Sequence, residues 1–242
     1  MRFGGDHMTQ REKEEKLLKE LKHPDEGSSA VGKLIESTIR SGHKVYCATD
    51  WHLWTRLHKG KPECKKRKEF DKIIKNVNET MTKDDLLIYL GDLVDGEFQE
   101  KEELKSVLKT LPGKKVLVLG NNDLFGVPFY KSCGFDHVVQ SFVWHDTVFT
   151  HIPIKNSNQL NVHGHLHGFR IYWIPYKNQI DVAACGGRKE LVDLKDVLKK
   201  QKNYAKTVRE SPEHFNEGYN IQPSALFDIV CGGSVIEDPF ND

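Results

Sequence analysis

The sequence predicts an α/β protein in which a parallel sheet is followed by a second sheet packed against it. Three observations carry this reading. Short apolar runs at Val45–Thr49, Leu86–Leu90 and Lys115–Leu119 alternate with segments of helical periodicity, the βαβαβ order that parallel strands require. Each run stops abruptly at a polar or glycine-containing turn, the behaviour of a buried strand ending at a loop. Beyond Phe135 the runs become shorter and more tightly connected, which signals a change of sheet.

Residues 1–8 have the look of a vector-derived leader, and residues 9–43 read as a helical extension. Within it, Leu17, Leu18 and Leu21 form a narrow apolar stripe. Pro24–Ser29 breaks that pattern, and Val31, Leu34, Ile35 and Ile39 then share one helical face up to Gly42. A main domain is expected over 44–200. Its first strand runs into Asp50, and a basic loop follows over Arg56–Lys68, with Glu63 as its single acid. Phe70, Ile73, Ile74 and Val77 mark one helix, while Leu104, Val107, Leu108 and Leu111 mark another that Pro112-Gly113 closes. The second sheet is expected to be largely antiparallel and to use Val138–Trp144, Thr147–Thr150, Leu160–His163, Arg170–Ile174 and Gln179–Ala184. Leu191–Leu198 reads as a last strand or turn leading into a short helix, and 201–242 as a C-terminal extension without an assigned structure.

Composition narrows the function classes. A net charge of +1 gives no general attraction to nucleic acid or to a membrane surface. The five cysteines are odd in number and form no Cys-x-x-Cys pair, which argues against a disulfide framework or zinc ribbon and fits the cytoplasm. No apolar stretch approaches the roughly 20 residues needed to span a bilayer.

Chemistry concentrates at the strand ends. Leu86-Leu87-Ile88-Tyr89-Leu90 ends in Gly91-Asp92, and open α/β sheets bind ligands at the carboxyl ends of their strands. Asp50-Trp51-His52, Gly120-Asn121-Asn122-Asp123, Thr150-His151 and Gly164-His165-Leu166-His167 occupy equivalent positions. A single histidine on a strand is more often a hydrogen-bonded structural residue, and a single Asn is a common turn former. The joint pattern is what points to metal. Asp50, His52, Asp92, Asn121, His151, His165 and His167 offer hard oxygen with imidazole nitrogen, a set suited to Mn²⁺, Fe or Zn²⁺, with Mn²⁺ the first choice. Seven ligands exceed what one catalytic ion takes, whereas two ions about 3.5–4 Å apart and sharing a carboxylate would use them all. The Asp-x-His and His-x-His spacings are expected to place alternate side chains of an extended chain on one side.

In Asp50-x-His52, Gly91-Asp92-x-x-Asp95, Gly120-Asn121-x-Asp123, His151 and Gly164-His165-x-His167, over roughly Val45 to Leu198, the chain resembles the calcineurin-like metallophosphoesterases. The resemblance implies a four-layer α/β/β/α sandwich with two mixed sheets and a binuclear site. It implies that Asp50, His52 and His167 hold one ion, that Asn121, His151 and His165 hold the other, and that Asp92 bridges them. Asp95 and Asp123 would stand behind these ligands, Asp95 orienting a histidine. Asp92, Asn121 and His151 would be central to catalysis.

Many members of the family carry a histidine where this chain has Asn122, and that histidine, paired with the following acid, protonates the leaving group. Asp123 is therefore expected to lack its partner here, and a histidine at 122 to restore the pair. Small members with another residue at that position are usually phosphodiesterases, so a phosphodiesterase using metal-activated water is the expected activity. Trp51, Trp54, Asn122 and His58 are the candidate substrate contacts, the tryptophans being able either to stack a base or to pack on the sheet. The substrate is expected to be a phosphoester small molecule or nucleotide. A phosphomonoesterase is one alternative; a non-enzymatic scaffold, like the retromer subunit of this fold, is another, but its signature would be lost ligands, and all are retained here.

Overall fold

The computed structural model describes residues 26–53, 63–94, 101–154, 159–167, 179–186 and 189–199. Helix α1 (Glu26–Arg40) precedes β1 (Val45–Ala48), α2 (Glu63–Thr80), β2 (Leu86–Tyr89), α3 (Lys101–Thr110), β3 (Lys114–Val118), α4 (Val127–Ser132) and β4 (His137–Val139). The remainder is β5 (Phe142–Trp144), β6 (Thr147–Phe149), β7 (Leu160–His163), β8 (Gln179–Asp181), α5 (Val182–Gly186) and β9 (Val192–Asp193). The first sheet has the order β4-β3-β2-β1-β9, with β1 to β4 parallel and β9 antiparallel to β1. The second has the order β5-β6-β7-β8.

Alternation along β1–β3 divides the core in two. Tyr46, Ala48, Leu87, Tyr89 and Leu117 face one way, against Phe70, Ile73 and Val77 of α2, Leu104 and Leu108 of α3, and Tyr130 of α4. Val45, Cys47, Leu86, Ile88, Val116 and Val118 face the other way, against Phe142, Phe149, Val162 and Ile180 of the second sheet. Helices, sheet and sheet are thus stacked, with Val31, Leu34 and Ile35 of α1 and Val182 and Val197 of later helical turns entering the inter-sheet core. The α/β class with two mixed sheets is as expected.

Three expectations need correction. The second sheet is not largely antiparallel: β5 and β6 form an antiparallel hairpin, but β6–β7 and β7–β8 are parallel. Val138–Trp144 is not one strand either, since β4 pairs with β3 and the chain crosses between sheets at 140–141 before β5 begins. The basic stretch also ceases to be a loop at Glu63, where α2 starts. Its charged residues hide the periodicity, because the apolar face becomes visible only from Phe70 onward. Residues 54–62, Arg170–Ile174, the first 25 residues and those after 199 lie outside the described residues.

At the end of the first sheet opposite the candidate ligands, buried Asp85 ties several segments together. Its Oδ1 accepts the Lys44 amide at 2.7 Å, and its Oδ2 accepts the Thr82 amide and hydroxyl at 2.7 and 2.8 Å. Burial would raise this carboxyl's pKa, but the Thr82 and Lys44 donors hold it below the ordinary carboxylate value. Its contribution is therefore complete above the unfolded-state pKa of about 4 and fades as pH falls through the lower folded-state value. Asp85→Ala is expected to cost about 2–3 kcal/mol at pH 7. In urea melts, the gap to wild type should narrow at pH 3; a constant gap would contradict this account.

Candidate metal centre

The topology explains why distant motifs meet. Strands β1, β2 and β3 are parallel, so Asp50, Asp92 and Asn121 leave the same edge of the first sheet. Because β6 and β7 are also parallel, His151 and the Gly164-His165-Leu166-His167 loop emerge together from the second. An antiparallel pairing of β6 with β7 would have sent these blocks to opposite ends.

Pairing continues beyond the strands. The amides of Asp50, His52 and Leu53 donate to the carbonyls of Gly91, Asp92 and Leu93 at 3.0, 3.0 and 2.9 Å. In the second sheet, Thr150 N–H donates to Val162 and Gly164 N–H to His151, at 3.1 and 3.0 Å. Cross-links then join the two sheets' loops: His165 N–H donates to Asp50 Oδ2 at 3.0 Å, and His151 Nδ1 lies 2.7 Å from the Leu90 carbonyl. With Nδ1–H donated to that carbonyl, Nε2 of His151 faces the centre.

The ligand-bearing backbone is not extended. Asp50, His52, Asp92, His165 and His167 have φ values of 55°, 45°, 55°, 71° and 56°, in the left-handed region that non-glycine residues seldom adopt. The one-residue spacing does bring Asp50 and His52 to one side, but through two left-handed kinks rather than through strand alternation. Each such residue costs on the order of 1 kcal/mol or more, and residues of this kind persist where the surroundings over-determine them. Gly91 is a further requirement: its φ is 87°, and a Cβ there would lie 2.5 Å from His151 Nδ1. A Cβ at Gly164 would collide with the Thr49 hydroxyl.

Two donor groups result. Asp50, His52, Asp92 and His167 place ligand atoms within 4.8 Å of one another, as do Asp92, His151 and His165. In the first, His52 Nε2 and His167 Nε2 are 3.0 Å apart, and they lie 3.8 and 3.3 Å from Asp50 Oδ1. In the second, His151 Nε2 is 3.3 Å from Asp92 Oδ2, 3.1 Å from Asn121 Oδ1 and 3.3 Å from His165 Nδ1. Asp92 Oδ2 is also 3.6 Å from His52 Nε2, so this carboxylate belongs to both groups.

Electrostatics favour cations here. Asp50 and Asp92 are buried, which alone would raise their pKa values, yet the histidines around them hold both below the ordinary range. Burial would make His151 harder to protonate, but Asp92 and Asp50 push its pKa up to about 9. His165 moves the other way, to about 4, because it is buried beside His151. Asp50 Oδ1 and His165 Nε2 are buried without a hydrogen bond. Imidazole nitrogens facing each other across 3.0–3.3 Å, with buried carboxylate oxygen alongside, are a donor set that a divalent cation satisfies.

Several expected roles change. Trp51 is only 4% exposed and packs edge-on against Tyr89 at 4.7 Å, the packing arrangement of the two expected for it. Asp123 is not waiting for an imidazole. Its Oδ2 accepts the Asp92 and Gly120 amides at 2.9 and 2.8 Å, and its Oδ1 the Leu93 amide at 3.0 Å. Asn122 instead donates to Asp92, from its backbone at 2.9 Å and from its side-chain amide at 2.8 Å. A histidine at 122 would find both Asp123 oxygens already engaged. Trp54, His58 and Asp95 lie outside the described residues. Two contributors were missed: Thr49, whose hydroxyl is 2.6 Å from Asp50 Oδ2, and Asn161, which holds the His151 loop through Thr150 and Ile154. Thr49 adjoins Asp50 in sequence, and Asn161 is a polar residue within an apolar strand; either could have served as a signal.

A two-sheet α/β frame carrying two Asp/His groups that share a carboxylate defines a metal-binding hydrolase scaffold. The calcineurin-like phosphoesterase family model matches residues 43–233, and the chain belongs to that family. It is therefore a metal-dependent phosphoesterase of a family that usually binds two divalent ions. Among solved structures it is similar to a protein of unknown function from Aquifex aeolicus, at 19% identity and a TM-score of 0.47, over 65% of this chain and 98% of that one. It is also similar to nuclease MPE from Pseudomonas putida, at 20% identity and a TM-score of 0.38, over 51% of this chain and 61% of that one. No curated protein matches the sequence. No helix among the described residues is long and apolar enough to cross a membrane.

Gly91→Ala tests the closeness of this packing. It is expected to displace His151, lower thermal stability by several degrees and reduce bound metal to less than half of the wild-type content by elemental analysis. Wild-type metal content would mean that the ring does not need the space Gly91 leaves.

Proposed function

We propose that the protein is a phosphodiesterase with a binuclear centre, and that Asp92 is its bridging ligand. The observation that carries this reading is the position of the Asp92 carboxylate between His52 Nε2 and His151 Nε2. Asp50, His52 and His167 would complete one position, and Asn121, His151 and His165 the other. When bound, two divalent ions supply positive charge against the phosphoryl oxygens and acidify the attacking water. Mn²⁺ is the preferred ion on the mixture of carboxylate, amide oxygen and imidazole donors. The odd cysteine count and absence of a Cys-x-x-Cys pair favour the cytoplasm.

The chain's own residues set the rest. Thr49, the His165 amide and the two Asn122 donors fix the rotamers of Asp50 and Asp92. The Leu90 carbonyl fixes the His151 tautomer. Asn122 stands where an acid would protonate the leaving group, and an amide has no labile proton at neutral pH. General acid catalysis is typically worth about 10²–10⁴-fold, so the substrate's leaving group must itself be stable as an anion. This supports esters with acidic leaving groups over alkyl esters, and the diester preference rests on the resemblance to small family members without a histidine at this position.

Two measurements test the proposal. Asp92→Asn should keep the fold by circular dichroism while lowering turnover of an aryl phosphodiester at least 10³-fold and reducing the affinity for both ions. Wild-type rates in that variant would remove the bridging role. In a leaving-group series with the wild type, the rate should rise steeply with leaving-group acidity. A flat series would show that some other group delivers the proton, and equal rates on matched aryl monoesters would remove the diesterase preference.

A further inference from the structure

Tyr89 is the last residue of β2, and neither its chemistry nor its position is explained by packing alone. It is fully buried in the core beneath α2 and α3. An apolar residue would fill that place, yet this side chain carries a hydroxyl to the edge of the metal centre. The Trp51 amide donates to that hydroxyl at 2.7 Å. The hydroxyl in turn lies 3.3 Å from the Asp92 carbonyl, to which it donates its proton. One oxygen therefore joins the middle of the Asp50-Trp51-His52 loop to the residue shared by both donor groups.

The surroundings make this link consequential. Asp50 and His52, on either side of Trp51, have left-handed backbones, and so does Asp92. The Asp92 carbonyl already accepts His52 N–H at 3.0 Å, so the hydroxyl adds a second bond to the same oxygen. Without it, the buried Trp51 amide loses the partner that holds it between two left-handed residues, and a buried amide without an acceptor drives local rearrangement. Rotation there would carry the Asp50 carboxylate and the His52 ring away from each other. His151 and His165 of the second group hang mainly on other bonds, from the Leu90 carbonyl and along the β6–β7 pairing, and meet the Trp51 loop only through the shared Asp92 and the His165 amide on Asp50 Oδ2.

We infer that Tyr89 is a positioning residue of the centre, whose hydroxyl holds the Asp50–His52 loop and Asp92 in register so that the first donor group is formed before metal arrives. The inference rests on the binuclear reading proposed above and adds a selective role within it. Loss of the hydroxyl should weaken the Asp50/His52/Asp92/His167 group more than the other, because only the first contains Asp50 and His52, the residues on either side of Trp51. Residues that orient ligands typically change metal affinity 10–100-fold when removed, which sets the expected size.

Tyr46 supplies the control. It lies on the same face of the sheet, is buried in the same core, and its hydroxyl also reaches a backbone carbonyl, that of Thr80 at 3.4 Å. Tyr46→Phe should therefore lower stability without changing the centre.

The experiment is titration of the full chain with Mn²⁺, followed by calorimetry and electron paramagnetic resonance, for wild type, Tyr89→Phe and Tyr46→Phe. Wild type and Tyr46→Phe should bind two ions with the signature of a coupled pair. Tyr89→Phe should retain one tight ion, bind the second at least tenfold more weakly, and lose the coupled signal at low Mn²⁺. Two tight, coupled ions in Tyr89→Phe, or an equal loss at both positions, would overturn the role of Tyr89. So would the same selective loss in Tyr46→Phe. If wild type takes up no Mn²⁺, Zn²⁺ or Fe²⁺, the binuclear reading itself fails, which is a distinct result. Amide hydrogen exchange on the metal-free wild type gives a check that needs no variant. The Trp51 amide should be protected, and rapid exchange there would show that the bond to Tyr89 does not hold.

Discussion

Two buried carboxylates govern this structure. Asp50 and Asp92 are 0% and 1% exposed, and removing an ionised carboxylate from water costs several kcal/mol unless opposite charge and hydrogen-bond donors replace the solvent. The replacement comes from every neighbouring loop. Thr49 and the His165 amide bind Asp50, Asn122 binds Asp92 twice, and histidines from both sheets surround the pair. The consequence is reciprocal: the carboxylates draw positive charge onto His151, and the same field favours a divalent cation. A site arranged in this way is not a set of ligands added to a finished fold. Its loops are held in place by the groups that would otherwise be costly to bury.

The backbone carries part of that cost. Five of the candidate ligands have left-handed φ values, and so many in one small volume require external restraint. Asp123 supplies some of it by accepting three amides, from Asp92, Leu93 and Gly120. Its burial next to Asp92 pushes its pKa up to about 6, so it works under strain of its own. Parallel pairing beyond the strand ends supplies the remainder, in both sheets. Close approach of these loops explains why glycine precedes ligands in three of the motifs: Gly91 admits the His151 ring, Gly120 admits the Asp92 backbone, and Gly164 admits Thr49.

Much of this was legible in the sequence, and the failures are instructive. The βαβαβ half could be read directly, because helical periodicity at Phe70–Val77 and Leu104–Leu111 separates the apolar runs. The second sheet reads as antiparallel because short connections suggest hairpins, and among the described residues only β5–β6 is one. The candidate ligands themselves contained the correction. His151 and His165 follow β6 and β7, and two strands that deliver residues from their carboxyl ends to one point must run parallel. Left-handed backbones were not legible, since Asp and His there lack the glycine that usually marks such positions. Nor was the engagement of Asp123, because a carboxylate bound to backbone amides leaves no pattern in side-chain identities.

Asn122 performs one of two tasks open to a residue at this position. An imidazole at this position could serve as a proton donor but could not make the amide contact to Asp92 Oδ2 seen here in the same way. The side-chain amide instead stabilises the carboxylate shared by both donor groups, together with its own backbone N–H on Oδ1. If Asp92 bridges two ions as proposed, its part in transition-state stabilisation would depend on preorganisation of the carboxylate rather than on proton transfer. In the reading proposed above, the residue would support the attacking side of the reaction and leave departure of the product to the chemistry of the substrate. The surroundings agree with that division: donors converge on Asp92, while Asn121 beside it is exposed.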